Sequence, residues 1–240
     1  MEIKICHLYS DVLNLYGDRG NMITMKKRLE WRGIDVQVKK LGLGQKASLS
    51  DCDLIFIGGG MEFDNELIAE DLRAGRAAEL RAAVEDGVSL LAICSGFQLL
   101  GQYCEDAKGK TAMAGVLDMY TVAGKQRMTG NYKFVCTESC GGSEVIGFEN
   151  HLGKTFLGAH LEPLGKILSG HGNNGEDGSE GARYKNLFGS YSYGPLLPKN
   201  PALCDHILLT ALERKYGLKE LAPLSDRAEL AAFEAMDKRL

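Results

Sequence analysis

No apolar run in this sequence approaches the roughly 20 residues that a membrane-crossing helix requires. Its N-terminus, Met1-Glu2-Ile3-Lys4-Ile5-Cys6-His7-Leu8, reads directly as a strand and lacks the charged-then-apolar layout of a secretory signal. Positive charge is not in excess: 28 Lys and Arg stand against 32 Asp and Glu, a formal net charge of −4. Without a basic face the chain does not fit a general nucleic-acid binder, which must neutralise phosphates. No P-loop sequence is present, so ATP and magnesium are not expected on this chain. The seven cysteines (6, 52, 94, 104, 136, 140 and 204) are odd in number and scattered, which fits a reducing cytoplasm better than a disulfide framework. Only Cys136 and Cys140 have a spacing that suggests metal; no second pair follows, so no metal site is expected. No internal repeat occurs.

What is present describes an α/β protein with a substantial core. Apolar residues make up 45% and charged residues 25% of 240 positions, and one domain over 1–240 accommodates them. Ile3 to Leu8 reads as a strand, and a helix follows with Met22, Met25, Leu29 and Trp31 on its apolar side. Ile34-Asp35-Val36-Gln37-Val38 alternates like a half-covered strand, so the opening is β-α-β with a right-handed crossover. Leu54-Ile55-Phe56-Ile57 is a short buried strand, and Gly58-Gly59-Gly60 lies at its carboxyl end, where ligands bind in open α/β sheets. A helical stretch from Asn65 to Asp86 is interrupted around Gly75. Segments 115–122, 127–136 and 145–151 read as antiparallel strands of the second half. Arg127 in the second of these is either an ordinary exposed charge or, near the crevice, a planar fork able to clamp a carboxylate. Residues 170–182 hold five glycines and almost nothing apolar, which predicts a mobile surface loop. An amphipathic helix from Pro201 through Tyr216 precedes a peripheral helical tail from about residue 222.

The segment Val88-Ser89-Leu90-Leu91-Ala92-Ile93-Cys94-Ser95-Gly96-Phe97-Gln98 organises the rest. A buried strand runs into one cysteine, a small residue, a glycine and then a helical stretch, the grammar of a nucleophile elbow. Ala92 and Gly96 flank a turn too tight for larger side chains. A thiol at the first turn of a helix meets the positive end of its dipole, which favours thiolate. The plainer alternative is a small buried core cysteine.

Several separate stretches, in order, resemble the class I glutamine amidotransferases of the cobyric-acid-synthase-like group. They are Asn14-Leu15-Tyr16-Gly17-Asp18-Arg19-Gly20-Asn21, Gly58-Gly59-Gly60-Met61-Glu62-Phe63, Ile93 to Tyr103, Gly147-Phe148-Glu149-Asn150-His151, Tyr184 to Tyr191, and Gly194-Pro195-Leu196-Leu197-Pro198-Lys199-Asn200. Within that group the branch most similar is the glutaminase subunit of lipid II isoglutaminyl synthases. The resemblance implies a three-layer sandwich around a mostly parallel central sheet, with antiparallel strands in the second half. It implies that Cys94 attacks the side-chain amide of L-glutamine, with backbone N–H groups of Gly60 and Ser95 as the oxyanion hole. Arg127 matches the substrate-contacting position, and Gln98 lies beside the thiol. Ammonia would pass to a Mur-ligase-like partner that holds ATP and Mg and amidates the D-glutamate of membrane-bound lipid II.

One position departs from the pattern. The family places a histidine before Gly-Pro, and here that residue is Tyr193. A phenol, with a pKa of about 10, shuttles protons poorly at pH 7. Three accounts stand open: an impaired, scaffold-like subunit; another histidine (7, 151, 160, 171 or 206) reaching the site; or a change confined to this copy of the sequence. Pro195 occupies the place of the usual triad acid, which the resemblance assigns to the partner. Amidation of another acceptor, such as a corrinoid, is the alternative within the same fold.

Overall fold

The computed structural model describes residues 1–45, 48–60 and 62–240, without the side chains of residues 16 and 62–65. Its first half runs β1 (Glu2–Leu8), α1 (Arg19–Glu30), β2 (Asp35–Leu41), β3 (Leu54–Ile57), α2 (Glu62–Asp71), α3 (Ala77–Glu85), β4 (Ser89–Ile93) and α4 (Ser95–Gln98). Then follow β5 (Tyr103–Asp106), β6 (Gly109–Ala112), β7 (Met119–Cys136), β8 (Glu144–Leu157), β9 (Gly165–Ser169), β10 (Ser179–Glu180), β11 (Ala182–Tyr184) and β12 (Leu187–Ser190). Two helices close the chain, α5 (Pro201–Tyr216) and α6 (Arg227–Asp237).

Six strands form the central sheet in the order β11-β12-β4-β3-β1-β2, parallel except at β11. Every residue of β3 and β4 is buried, as strands covered on both faces must be. Alternation along β4 divides two cores. Leu90 and Ala92 face Ile68, Leu72, Leu80 and Val84 of the α2–α3 segment, while Leu91 and Ile93 face Met22, Met25 and Leu29 of α1 and Ile207 and Leu208 of α5. The result is the expected three-layer arrangement. α2 and α3 are separated by a kink at Gly75, whose φ of 156° suits only glycine. Trp31, expected on the packed side of α1, is instead 60% exposed at the helix C-cap, where its backbone is still helical (φ −62°, ψ −20°).

The second sheet corrects the sequence reading. Segments 115–122 and 127–136 are not two antiparallel strands: from Met119 they belong to one 18-residue strand, β7. Both halves of β7 pair with β8, and the register slips between Ala123↔Gly153 and Met128↔His151. Residues 124–127 thus stand opposite residue 152 alone, a bulge that imitates a turn in sequence.

Segment 170–182 is also not the loosely held loop its composition predicts. Asn173, Asn174 and Glu180 are buried. Asn173 Nδ2 donates to the Gly181 carbonyl at 2.8 Å, Asn174 Nδ2 donates to the Thr155 carbonyl at 3.1 Å, and the N–H groups of His171 and Gly172 donate to the Glu149 carboxylate. Polar side chains satisfy the backbone here, so order does not require apolar residues. The tail helix α6 buries no residue of its own; Arg28, 1% exposed, reaches Asp226 at 2.6 Å, and Lys133 pairs with Asp237 at 3.0 Å.

Candidate active site

The site begins with backbone strain at Cys94. Its φ of 50° and ψ of −110° lie where L-residues rarely sit. The turn is held from both sides: Cys94 N–H donates to the Ser190 carbonyl at 2.8 Å, and Gln98 N–H donates to the Cys94 carbonyl at 3.0 Å. A Cβ on Gly96 would lie 2.6 Å from the Gly58 carbonyl oxygen and 2.8 Å from Ile57 Cγ2, which is why the elbow needs glycine there. The helix after the elbow, α4, is a single turn. The macrodipole expected of a longer helix is therefore small, and the first-turn N–H groups supply the local field.

Cys94 is half-buried and opens on a cavity of about 220 Å³, small enough for an amino acid. The cavity brings together every residue singled out from the sequence: Cys94, Ser95, Gln98, Gly60, Arg127 and Tyr193. Its floor is the glycine loop after β3. Ser95 Oγ donates to the Gly60 carbonyl at 2.8 Å, and Leu15 N–H donates to the Gly59 carbonyl at 3.0 Å. Added Cβ atoms on Gly58 and Gly60 would run into Leu13 at 2.4 and 2.5 Å, so the β1–α1 loop packs directly on this turn. Met61, in the same motif, lies outside the described residues.

The opposite wall comes from the second sheet. The bulge in β7 lifts Arg127 out of the ladder, and its Nη1 donates to Asn150 Oδ1 at 3.0 Å. Gln98 Nε2 donates to Tyr191 Oη at 3.0 Å, which fixes the amide against the elbow. Tyr193 is 3% exposed; its N–H donates to the Phe148 carbonyl and its hydroxyl to the Asn150 carbonyl, each at 3.0 Å.

Two polar residues missed as site members, Asp18 and Asn150, also border this cavity, as does His151, one of the five histidines weighed for the site. Asp18 is wholly buried, accepts the Gly59 N–H at Oδ2, and is pushed up to about 7 by burial, against the opposing pull of that bond. Of the five histidines only His151 borders the cavity. Its Nδ1–H donates to the Gly153 carbonyl at 2.8 Å, its ring stacks on Tyr191 at 3.7 Å, and its Nε2 lies 3.7 Å from Glu149 Oε2. His7 packs against Phe56 and is pushed down to about 4 by burial, and His171 pairs with Glu149 at 2.8 Å. Among the described residues no cluster of three or more His, Cys, Asp or Glu is arranged to hold a metal ion. Burial pushes the Cys136 thiol up to about 12 and also raises that of Cys140.

Comparison with known proteins agrees with this geometry. Residues 4–201 match the model of the CobB/CobQ-like glutamine amidotransferase domain. The chain is 41% identical over 218 residues to the glutamine-hydrolysing subunit GatD of the lipid II isoglutaminyl synthase of Streptococcus pneumoniae, covering 90% of this chain and 83% of that protein. To the corresponding Staphylococcus aureus subunit it is 38% identical over 239 residues, covering 99% and 96%. In fold it is similar to a chain of the PurLQS structure from Thermotoga maritima, with a TM-score of 0.60 at 17% identity, covering 88% of this chain and 98% of that one. With the elbow, the glycine loop and the matched span in agreement, the chain belongs to the CobB/CobQ-like glutamine amidotransferases.

Proposed function

We propose that this chain is the glutamine-hydrolysing subunit of an ATP-dependent ligase that amidates lipid II. The observation that carries the reading is Cys94, held at φ 50° over a cavity that also presents Gly60, Ser95, Gln98 and Arg127. Arg127 clamps the α-carboxylate of L-glutamine while Gln98 flanks the reacting amide. The Cys94 thiolate attacks the carboxamide carbon, and the N–H groups of Gly60 and Ser95 receive the developing oxyanion; such a donor is typically worth about 3 kcal/mol of barrier. Ammonia departs, and water cleaves the thioester to give glutamate.

The ammonia passes to a Mur-ligase-like subunit in the cytoplasm. That subunit binds ATP and magnesium, amidates the D-glutamate of the membrane-bound acceptor, and contributes the triad carboxylate missing here. Support for this assignment is the identity to the two isoglutaminyl synthase subunits over nearly the whole chain. Among the described residues, no helix is long and apolar enough to cross a membrane.

A specific observation favours a second reading, an amidotransferase-like subunit with impaired hydrolysis. Tyr193 fills the expected imidazole position, buried and with its hydroxyl committed to the Asn150 carbonyl. Labelling with diazo-oxo-norleucine separates the two. Alkylation of Cys94 in the wild type, with glutamate release that rises on adding the ligase, supports hydrolysis. Labelling absent in the wild type and restored by Tyr193→His supports the impaired subunit.

A further inference from the structure

Glutamine hydrolysis, as just proposed, leaves one chemical task without an owner. Some group must take the proton of the Cys94 thiol and give one to the departing ammonia. The position expected to do so carries a phenol. His151 borders the cavity, yet its Nδ1–H is bonded to the Gly153 carbonyl, and its Nε2, which makes no hydrogen bond, lies buried 3.7 Å from the Glu149 carboxylate.

Asp18 is placed differently. It sits on the loop between β1 and α1, wholly buried, and borders the same cavity as Cys94. A side chain added at Gly59 would lie 3.2 Å from Asp18 Oδ2 and 3.3 Å from Cys94 Cβ. The carboxyl oxygen and the stem of the nucleophile thus both flank Gly59, at most about 6.5 Å apart, close enough for one bridging water. Two donors aim the carboxyl there: Gly59 N–H on Oδ2, and Asn21 Nδ2 on Oδ1 at 3.4 Å.

We propose that Asp18 is the acid–base partner of Cys94, acting directly or through one water. Its carboxylate takes the thiol proton as sulfur bonds to the carboxamide carbon. It returns that proton to nitrogen as the C–N bond breaks and ammonia leaves. In the second half it takes a proton from water as the water oxygen bonds to the thioester carbon, and it passes the proton to sulfur as the C–S bond breaks. Glutamine and water give glutamate and ammonia, and no oxidant or reductant is needed. Burial raises the Asp18 carboxyl to about 7, where a group both accepts and releases protons at neutral pH. The other ionisable groups bordering the cavity are Cys94, Arg127, His151 and Tyr193, and Arg19 follows Asp18 in the chain, so the titration belongs to the set.

The test is Asp18→Asn in the full chain. The variant keeps an oxygen to accept the Gly59 N–H and loses only the titrating proton. We expect kcat for glutamate release to fall about 10²–10⁴-fold with KM within a few-fold. The rise of the wild-type rate through about pH 7 should also disappear, and Asp18→Glu should restore part of both. A fall in kcat that leaves the pH limb in place would reduce Asp18 to a brace for the glycine loop. A larger loss in His151→Gln than in Asp18→Asn would overturn the assignment.

Should Asp18→Asn not fold, the pH profile of Cys94 labelling by diazo-oxo-norleucine in the wild type decides the matter. A step near pH 7 supports the pairing, and a rise only at the pH of an ordinary thiol overturns it. A wild type inert to both glutamine and the analogue sinks the functional reading and this inference with it. A wild type that hydrolyses glutamine no faster than the Asp18→Asn variant sinks this inference alone.

Discussion

On one side of the cavity Cys94, Ser95 and Gly60 are held by backbone, at the carboxyl ends of two fully buried parallel strands. On the other side Arg127, Asn150 and His151 stand on a long antiparallel pair that slips register at the point where it meets the site. The first wall is fixed by backbone: a φ of 50° at the elbow and glycines on which a single added Cβ would collide. The second is made of side chains carried on strands, from exposed Arg127 to buried His151. A departure from family chemistry is therefore easiest to accommodate on the second wall, close to where Tyr193 bonds to Phe148 and Asn150. Nucleophile, oxyanion donors and Asp18 can persist while the residue before Gly194-Pro195 drifts.

The comparison breaks first at the nucleophile. Cys94→Ala should abolish glutamate release, a loss of about 10⁴-fold or more, with little change in stability because alanine inherits the same backbone. Residual hydrolysis near the wild-type rate would mean that the elbow is not the chemical centre. Next comes Tyr193→His, expected to leave the hydrolytic rate within a few-fold of the wild type, because Asp18 on the first wall already carries the proton. A rise of about 10²–10⁴-fold would mean that the phenol limits turnover and would favour the impaired-subunit reading.

The same division governs what the sequence reveals. The elbow is legible because its demands are local: a buried strand, a cysteine and Gly96 within a few residues dictate one turn. The helix Pro201–Tyr216 is legible for the same reason, since its apolar spacing predicts the face that packs on the sheet. The bulge at residues 124–127 is not, because Gly124 and its neighbours read as a turn unless one knows that both flanks pair with β8. Segment 170–182 misleads by composition, since its order comes from Asn173, Asn174 and the distant Glu149. Asp18 sits in a polar, glycine-flanked loop that looks solvated. Its burial arises from Gly59, more than forty residues away, so only the motif Asn14 to Asn21 hints at a role.

Asp18 also separates function from stability on the first wall. Burial raises its carboxyl from the usual 3.8 to about 7 in the folded chain. The folded state thus holds a proton that the unfolded state has released, and stability falls as pH rises from about 4 to about 7. Asp18→Asn removes that penalty. The variant should gain relative to the wild type by an amount that grows through this window and reaches on the order of 4 kcal/mol above pH 7, as an upper bound. Denaturant melts at pH 4 and pH 8 measure it. A gain of the same size at both pH values would show that the carboxyl titrates normally and is not held in a water-poor site.

The smallest expected loss tests the second wall. Arg127 is exposed on the bulge, with Nη1 bonded to Asn150 Oδ1, so its pairing with a substrate carboxylate is partly screened by water. Arg127→Gln should raise KM for glutamine about tenfold with little change in kcat, since the lost contact is made equally to substrate and transition state. Arg127→Lys keeps the charge but not the planar fork and should fall between the two. A drop in kcat with unchanged KM would place Arg127 at the reacting amide. The two walls would then share the chemistry, and the division between a backbone-fixed chemical side and a binding side built of side chains would no longer hold.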